Sequence, residues 1–199
     1  MIDAKIITLE PSIGGPLQKM YNERRNRAIK FVEGFKDSNY NLSIWDTTVN
    51  NLQSHIVIWN EPGDLLVFED DCVFDAGVFA RLVPAIDEFK TRGKEDEVLY
   101  LQRTAPHKVG CDRTFSTLSN TTTKLLIESN HPEFSGTAAY YITEAAKKHI
   151  MSNIRHDYAT DKFFFELHRG GKLRYIIPRD LNNMFKLDGQ LMWHPNWNR

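Results

Sequence analysis

Short apolar runs that favour β-structure alternate with amphipathic stretches along this chain, and this alternation constrains its fold more than any other feature. Residues 5–9 (KIITL), 65–68 (LLVF) and 97–101 (EVLYL) are such runs. Between the first two, residues 17–35 repeat apolar side chains at three- and four-residue steps, as an amphipathic helix does. Strands that alternate with helices favour a mostly parallel sheet. We therefore predict an α/β fold in one domain, residues 1–199, with a central mostly parallel sheet flanked by helices.

The remaining elements follow from the same patterns, with Pro and Gly marking the breaks between them. Further strands are predicted at residues 42–45, 124–128 and 173–177, and helices at residues 49–59, 76–90, 144–153 and 160–168.

Charge and cysteine content exclude several classes of protein. The 25 basic and 26 acidic side chains nearly cancel, so net charge gives no field that attracts nucleic acid or an anionic membrane. Cys72 and Cys111 have neither a zinc-ligand spacing nor a disulfide framework around them. The first residues lack the features of a signal peptide, and no run reaches the ~18 apolar residues that span a bilayer. We expect a soluble, cytoplasmic protein without a transmembrane segment.

The acids Glu69, Asp70 and Asp71 come directly after the apolar run 65–68. A buried parallel strand delivers its last residues to the carboxyl edge of the sheet, where open α/β sheets bind ligands. Adjacent carboxylates repel one another, and a divalent cation with a preference for oxygen ligands, Mn²⁺ or Mg²⁺, removes that cost. The alternative is a solvated turn, or a cap of the following helix, for which Asp75 is the better candidate.

Four blocks of the chain, in order and spacing, resemble the lipopolysaccharide-biosynthesis glycosyltransferase family, family twenty-five of the sequence-based classification, which includes the collagen galactosyltransferases. The first two blocks are the strand 6–9 followed by Glu23-Arg24-Arg25, and Ser54-His55 with Trp59. The third is 66–71 (LVFEDD) followed by the strand 98–101. The fourth comprises Gly136-Thr137, Tyr140 and the 145–148 (AAKK) helix, then Asp161 in 160–163. The chain departs from the family at 50–53, which replaces a Gly-Cys turn, and it is short for the family.

This resemblance implies a GT-A-like, Rossmann-like fold, a nucleotide-sugar donor, a divalent metal and inversion at the anomeric carbon. On the donor side, we expect Asp71 to ligate the metal, Asp70 to contact the ribose or share the metal, and Glu69 to hold the strand end. Arg24 and Arg25 are candidates for binding the diphosphate or base, or else they are ordinary charges on an exposed helix face.

The other donor-side candidates have equally plain alternatives. Ser54 and His55 are expected to position the sugar or nucleotide, or else to serve as a helix cap and a core histidine. Gly136 and Thr137 are expected to allow a ligand close to the backbone, or else to form a tight turn.

An inverting transfer needs a base to deprotonate the acceptor hydroxyl, and a carboxylate with a tuned pKa suits that task. Asp161 is the candidate for this role, with a place at the N-cap or in the first turn of the helix 160–168 as the alternative. His194 is the candidate for a further metal ligand, with Asp188 as a second choice. Trp193 and Trp197 could stack on a sugar or base, or belong to a packed or flexible tail.

Three functions remain open from the sequence. The first is sugar transfer from a nucleoside-diphosphate sugar to a hydroxyl acceptor, a saccharide in the main interpretation. The second keeps the donor and takes hydroxymethylated bases in DNA as acceptor, as some phage enzymes do, although the balanced net charge argues against affinity for a phosphate backbone. The third is a non-catalytic module that binds a nucleotide sugar.

Overall fold

The computed structural model describes residues 1–10, 17–48, 52–101, 125–129, 137–155, 159–179 and 186–187. The strands are β1 (Ile2–Leu9), β2 (Tyr40–Thr47), β3 (Leu65–Glu69), β4 (Cys72–Val73), β5 (Glu97–Tyr100), β6 (Leu126–Ser129), β7 (Ala139–Ile142), β8 (Arg174–Pro178) and β9 (Lys186–Leu187). The helices are α1 (Gln18–Gly34), α2 (Leu52–Trp59), α3 (Ala76–Arg92), α4 (Glu144–Ser152) and α5 (Thr160–Arg169).

Seven of these strands form one sheet in the order β2-β1-β3-β7-β5-β8-β6. Strands β2, β1, β3, β5 and β8 run in one direction, whereas β7 and β6 run against their neighbours. β4 and β9 pair separately as an antiparallel two-stranded ribbon. The predicted α/β class, with a mostly parallel sheet flanked by helices, is confirmed.

The central strand β3 explains why both faces of the sheet are covered. Successive side chains of a strand point to opposite faces. Leu66 and Phe68 pack in the core that α1 and α3 contribute to, and Leu65 and Val67 pack in the core that α2, α4 and α5 contribute to. These four side chains are at most 2% exposed, so the continuous apolar run 65–68 is what a strand between two helical layers requires.

The helices begin and end largely where their sequences predict. Asp75 caps α3, because its side chain accepts a hydrogen bond from the Gly77 N–H, and Gly93 ends that helix in the left-handed conformation (φ 60°). Thr143 caps α4 by accepting from the Ala146 N–H. Ser54 is different: it is buried within α2 as its third residue, so its interpretation as the helix cap is wrong.

Two features of the sheet go beyond the prediction. β7 is inserted antiparallel between β3 and β5, which separates the parallel strands into two sets. The ribbon of β4 and β9 joins the residues after the acidic cluster to residues 186–187. Among the described helices, none is long and apolar enough to cross a membrane.

Candidate functional site

The carboxyl edge of the parallel strands brings together most of the predicted site residues that the structure describes. β1, β2 and β3 end there side by side, with Ile7 paired to both Trp45 and Glu69. β7 begins at the same edge, because it runs antiparallel to β3, and the Glu69 N–H donates to the Ala138 carbonyl (2.8 Å). Thr137 therefore lies beside the acidic cluster although the two are 68 positions apart.

The acids of the cluster do not all belong to β3, because that strand ends at Glu69. Glu69 continues the series of Leu65 and Val67, toward the layer that contains α2, and it contacts His55 of that helix. Asp70 and Asp71 follow the strand end, and the positive charge of Arg24 of α1 acts on both. Among these acids, the contact with His55 belongs to Glu69.

Glu69 is held by two donors. Its Oε1 accepts a hydrogen bond from the Thr137 hydroxyl (2.8 Å) and contacts His55 Nε2 (3.2 Å). Burial raises the pKa of Glu69, but the hydrogen bonds from His55 and Thr137 and the charge of Arg24 outweigh it and leave the pKa below its usual value. Glu69 is therefore a fixed anion whose side chain is still 35% exposed.

Asp70 and Asp71 have a different environment from Glu69. Burial raises the pKa of Asp70 to about 7, against the opposing charge of Arg24. Burial and the charge of Glu69 raise the pKa of Asp71 to about 7 as well. Asp70 Oδ2 and Asp71 Oδ1 are buried and have no hydrogen-bond partner among the described residues. The two carboxyl groups therefore have unused oxygen atoms and a cost of burial that a cation would relieve.

Arg24 is the cationic counterpart of these acids. It is 3% exposed, and its Nε and Nη2 have no hydrogen-bond partner among the described residues. The charge of Arg24 lowers the pKa of Glu69, Asp70 and Asp71, so the guanidinium lies within electrostatic range of all three. A buried guanidinium with two free donors can bind an anion such as a phosphate group.

Arg25, its neighbour in the sequence, is already paired. Its Nε and Nη2 donate to Asp46 Oδ1 (2.8 Å) and Oδ2 (2.6 Å), and Thr8 Oγ1 donates to the same Oδ1 (2.5 Å). The bond from Arg25 holds the pKa of Asp46 below its usual value, against the opposing effect of burial. Arg25 thus joins α1 to the ends of β1 and β2, a contact that the sequence did not predict.

Asp161 lies in the first turn of α5, but it does not cap the helix. The cap position is Ala159, and Asp161 Oδ1 accepts from the adjacent Lys162 N–H (2.7 Å). Burial raises the pKa of Asp161, and the negative charge of Glu69 adds to that rise. Asp161 therefore lies within electrostatic range of the acidic cluster and has the raised pKa that suits a base near neutral pH.

Several candidates remain predictions. Ser54 is buried on α2 next to His55. Its expected contact with the sugar or nucleotide stays a prediction. Gly136 and His194 lie outside the described residues, as do Asp188, Trp193 and Trp197. Within the described part of the chain, no group of three or more His, Cys, Asp or Glu side chains is arranged so that it could hold a metal ion.

Comparison with known proteins identifies no family for this chain. Neither a scan of protein-family models nor a search of curated proteins finds a match to this chain. Among solved structures, the chain is similar to a protein assigned as a glucose-1-phosphate thymidylyltransferase from Bacillus anthracis, determined in complex with a sucrose. The two chains are 13% identical, the match covers 89% of this chain and 87% of that one, and the TM-score is 0.45.

Proposed function

We propose that this chain is a metal-dependent glycosyltransferase that transfers a sugar from a nucleoside-diphosphate sugar to a hydroxyl group of a saccharide, with inversion at the anomeric carbon. The observation that carries this proposal is the set of buried charged groups without hydrogen-bond partners: Arg24 Nε and Nη2, Asp70 Oδ2 and Asp71 Oδ1. Unpaired buried charges are costly. A ligand that brings a cation to the carboxylates and an anion to the guanidinium removes both costs, and a metal diphosphate is such a ligand.

The donor set fits Mn²⁺ or Mg²⁺. These ions prefer oxygen ligands and are commonly bound by one or two carboxylates together with substrate phosphates, so Asp70 and Asp71 suffice without a complete protein cage. His194 stays the predicted additional ligand. When bound, the cation would act as a Lewis acid that stabilises the negative charge on the departing diphosphate.

The residues of this chain divide the remaining tasks. Arg24 binds the diphosphate through the donors that have no partner among the described residues, and Glu69, fixed by His55 and Thr137, supports the donor site at the strand end. Asp161 takes the proton from the acceptor hydroxyl, since burial keeps its pKa raised and its carboxylate basic. Inversion follows when the acceptor attacks from the face opposite the leaving diphosphate.

The decisive experiment is a panel of nucleotide sugars incubated with the protein and MnCl₂, in which release of the nucleoside diphosphate is measured with and without saccharide acceptors. We expect release with one donor class, and its loss on addition of EDTA. Binding of a nucleotide sugar without any release would support the non-catalytic module instead. Absence of both binding and release across the panel would contradict the proposal.

A further inference from the structure

A chain of hydrogen bonds runs from the core under α2 to the acidic cluster. Trp59 Nε1 donates to the Tyr140 hydroxyl oxygen (2.8 Å), the same hydroxyl lies 2.7 Å from His55 Nδ1, and His55 Nε2 lies 3.2 Å from Glu69 Oε1. Tyr140, His55 and Trp59 are all at most 3% exposed. Water therefore has little access to these contacts, so the groups must satisfy one another.

The donor and acceptor capacities of these groups fix the direction of every bond. The indole N–H of Trp59 can only donate, so it occupies a lone pair of the Tyr140 oxygen. The single hydroxyl proton of Tyr140 then needs an acceptor, and within the described residues His55 Nδ1 is the acceptor that contacts it. An Nδ1 that accepts carries no proton, so the proton of neutral imidazole is on Nε2, which faces Glu69.

We propose that Tyr140 is a positioning residue: by donating to His55 Nδ1 it holds that ring as the Nε2–H tautomer, which donates to Glu69 Oε1 and fixes the orientation of this carboxylate. Thr137 donates to the same Oε1, so Oε1 is engaged twice and Oε2 is the oxygen that these two donors leave available. The tautomer itself is independent of any activity; its importance for the donor site rests on the proposed function.

The same bonding argues against a role for His55 as a base. An imidazole that transfers protons needs a nitrogen free to accept one, and here Nδ1 is blocked by Tyr140 and Nε2 already carries a proton. Phe164 stacks on Trp59 (5.6 Å between centroids, 12° between planes) and packs edge-on against Tyr140 (5.5 Å, 67°), which restrains both rings. His55 therefore orients the Glu69 carboxylate and is not a catalytic residue.

Long-range ¹H–¹⁵N correlation spectra of the metal-free protein, labelled at histidine, test the proposal directly. Seven histidines give signals, and the spectrum of His55→Gln assigns the one that disappears. We expect His55 to be the Nε2–H tautomer at neutral pH. An Nδ1–H tautomer or an imidazolium would overturn the proposal. The tautomer is read from the wild-type protein, and no ligand has to bind; the His55→Gln variant serves only to assign the signal.

Two variants separate positioning from packing. Tyr140→Phe keeps the ring and removes the hydroxyl, so we expect His55 to become a mixture of tautomers. Trp59→Phe removes the indole N–H but leaves the Tyr140–His55 bond, so His55 should keep its wild-type signals. Unchanged His55 signals in Tyr140→Phe would contradict the assigned role.

The consequence at the site is measured with Mn²⁺ alone, by its EPR signal. Tyr140→Phe should weaken Mn²⁺ binding severalfold relative to Trp59→Phe, because a loosened Glu69 supports the neighbouring aspartates less well. Equal binding in the two variants would remove the link to the donor site. If the wild type binds no Mn²⁺, the proposed function fails while the tautomer result still decides the role of Tyr140.

Discussion

Asp161 is the single residue on which the acceptor half of the proposed reaction depends. Asp161→Asn keeps the shape and the hydrogen bond to the Lys162 N–H but removes a carboxylate that can accept a proton. We expect transfer to fall by ~10²-fold or more, the scale of a lost general base, while the affinity for the nucleotide sugar stays the same. Product formation and donor titration by calorimetry measure the two quantities separately.

Asp87→Asn is a suitable control for this substitution, because Asp87 is an exposed acid on α3. It should leave both transfer and donor affinity unchanged. If Asp161→Asn transfers the sugar near the wild-type rate, Asp161 is not the general base.

At the scale of elements, charge pairs join α3, β5, β8 and β6 at the amino edge of the parallel strands, opposite the candidate site. Glu97 at the start of β5 has a fully buried side chain that accepts from Arg92 Nε (2.6 Å) and Nη2 (2.7 Å) at the end of α3. At the start of β8, Arg174 Nη2 lies 3.0 Å from Glu97 Oε1, and Arg174 Nη1 lies 3.5 Å from Glu128 Oε2 of β6. These contacts fix where one helix and three strands begin or end.

Glu97→Ala tests the contribution of this cluster to stability. Removing one partner of a buried ion pair leaves a desolvated charge, here Arg92, whose side chain is 10% exposed in the pair. We expect the free energy of unfolding to fall by about 3–5 kcal/mol, measured by urea denaturation. Asp96→Ala, one residue earlier and part of a partly exposed pair with Arg174, should cost under about 1 kcal/mol. If both variants lose the same free energy of unfolding, the burial of Glu97 does not explain its contribution to stability.

The pH dependence of the Asp96–Arg174 pair has a defined sign. Arg174 donates to Asp96 from Nε (2.8 Å) and Nη2 (3.0 Å), and this bonding holds the pKa of Asp96 below its usual value despite burial. The pair therefore contributes stability above the unfolded pKa of about 3.9, and this contribution disappears as pH falls through the lower folded pKa.

Asp96→Asn measures that contribution. Compared with the wild type in urea denaturation, the variant should be less stable by under about 1 kcal/mol at pH 7, because the pair is partly exposed, and the difference should shrink as pH falls below about 4. A difference that grows as pH falls would contradict the assignment.

For the molecule as a whole, the candidate metal site couples ligand binding to stability. Glu69, Asp70 and Asp71 come together with Arg24 only in the folded chain, so a cation that binds there stabilises the fold by mass action. We expect Mn²⁺ to raise the melting temperature in a concentration-dependent way, with a gain of about 2.7 kcal/mol at 100 times its Kd. Differential scanning fluorimetry with increasing MnCl₂ measures the shift.

Asp71→Asn should reduce this shift strongly. Asp75→Asn is the matched control, since Asp75 caps α3 and Asn caps a helix equally well, so its Mn²⁺ shift should equal that of the wild type. A full shift in Asp71→Asn would place the cation elsewhere.

The sequence by itself determined the alternation of elements. Apolar periodicity predicted the five helices and six of the nine described strands, because the burial of an apolar stripe or strand follows from the local sequence. β4, β7 and β9 were not predicted. β3 is the clearest case: four apolar residues between charged or polar neighbours are too few for a helix and favour a buried strand. The carboxyl-edge position of Glu69, Asp70 and Asp71 follows from that strand, and the structure confirms it.

Only the tertiary structure decided how Glu69 differs from Asp70 and Asp71 in its hydrogen-bond partners and pKa. Strand direction is not encoded in local apolar pattern, so the antiparallel β7, which brings Thr137 and Tyr140 to Glu69 and His55, could not be predicted. From the sequence, Tyr140 was named only as part of the family resemblance and without a role, because its hydroxyl contacts partners 81 and 85 positions away. Hydrogen bonds between distant segments depend on the packing of whole layers, and that is why pairing, burial and pKa at this site emerge only when the chain is folded.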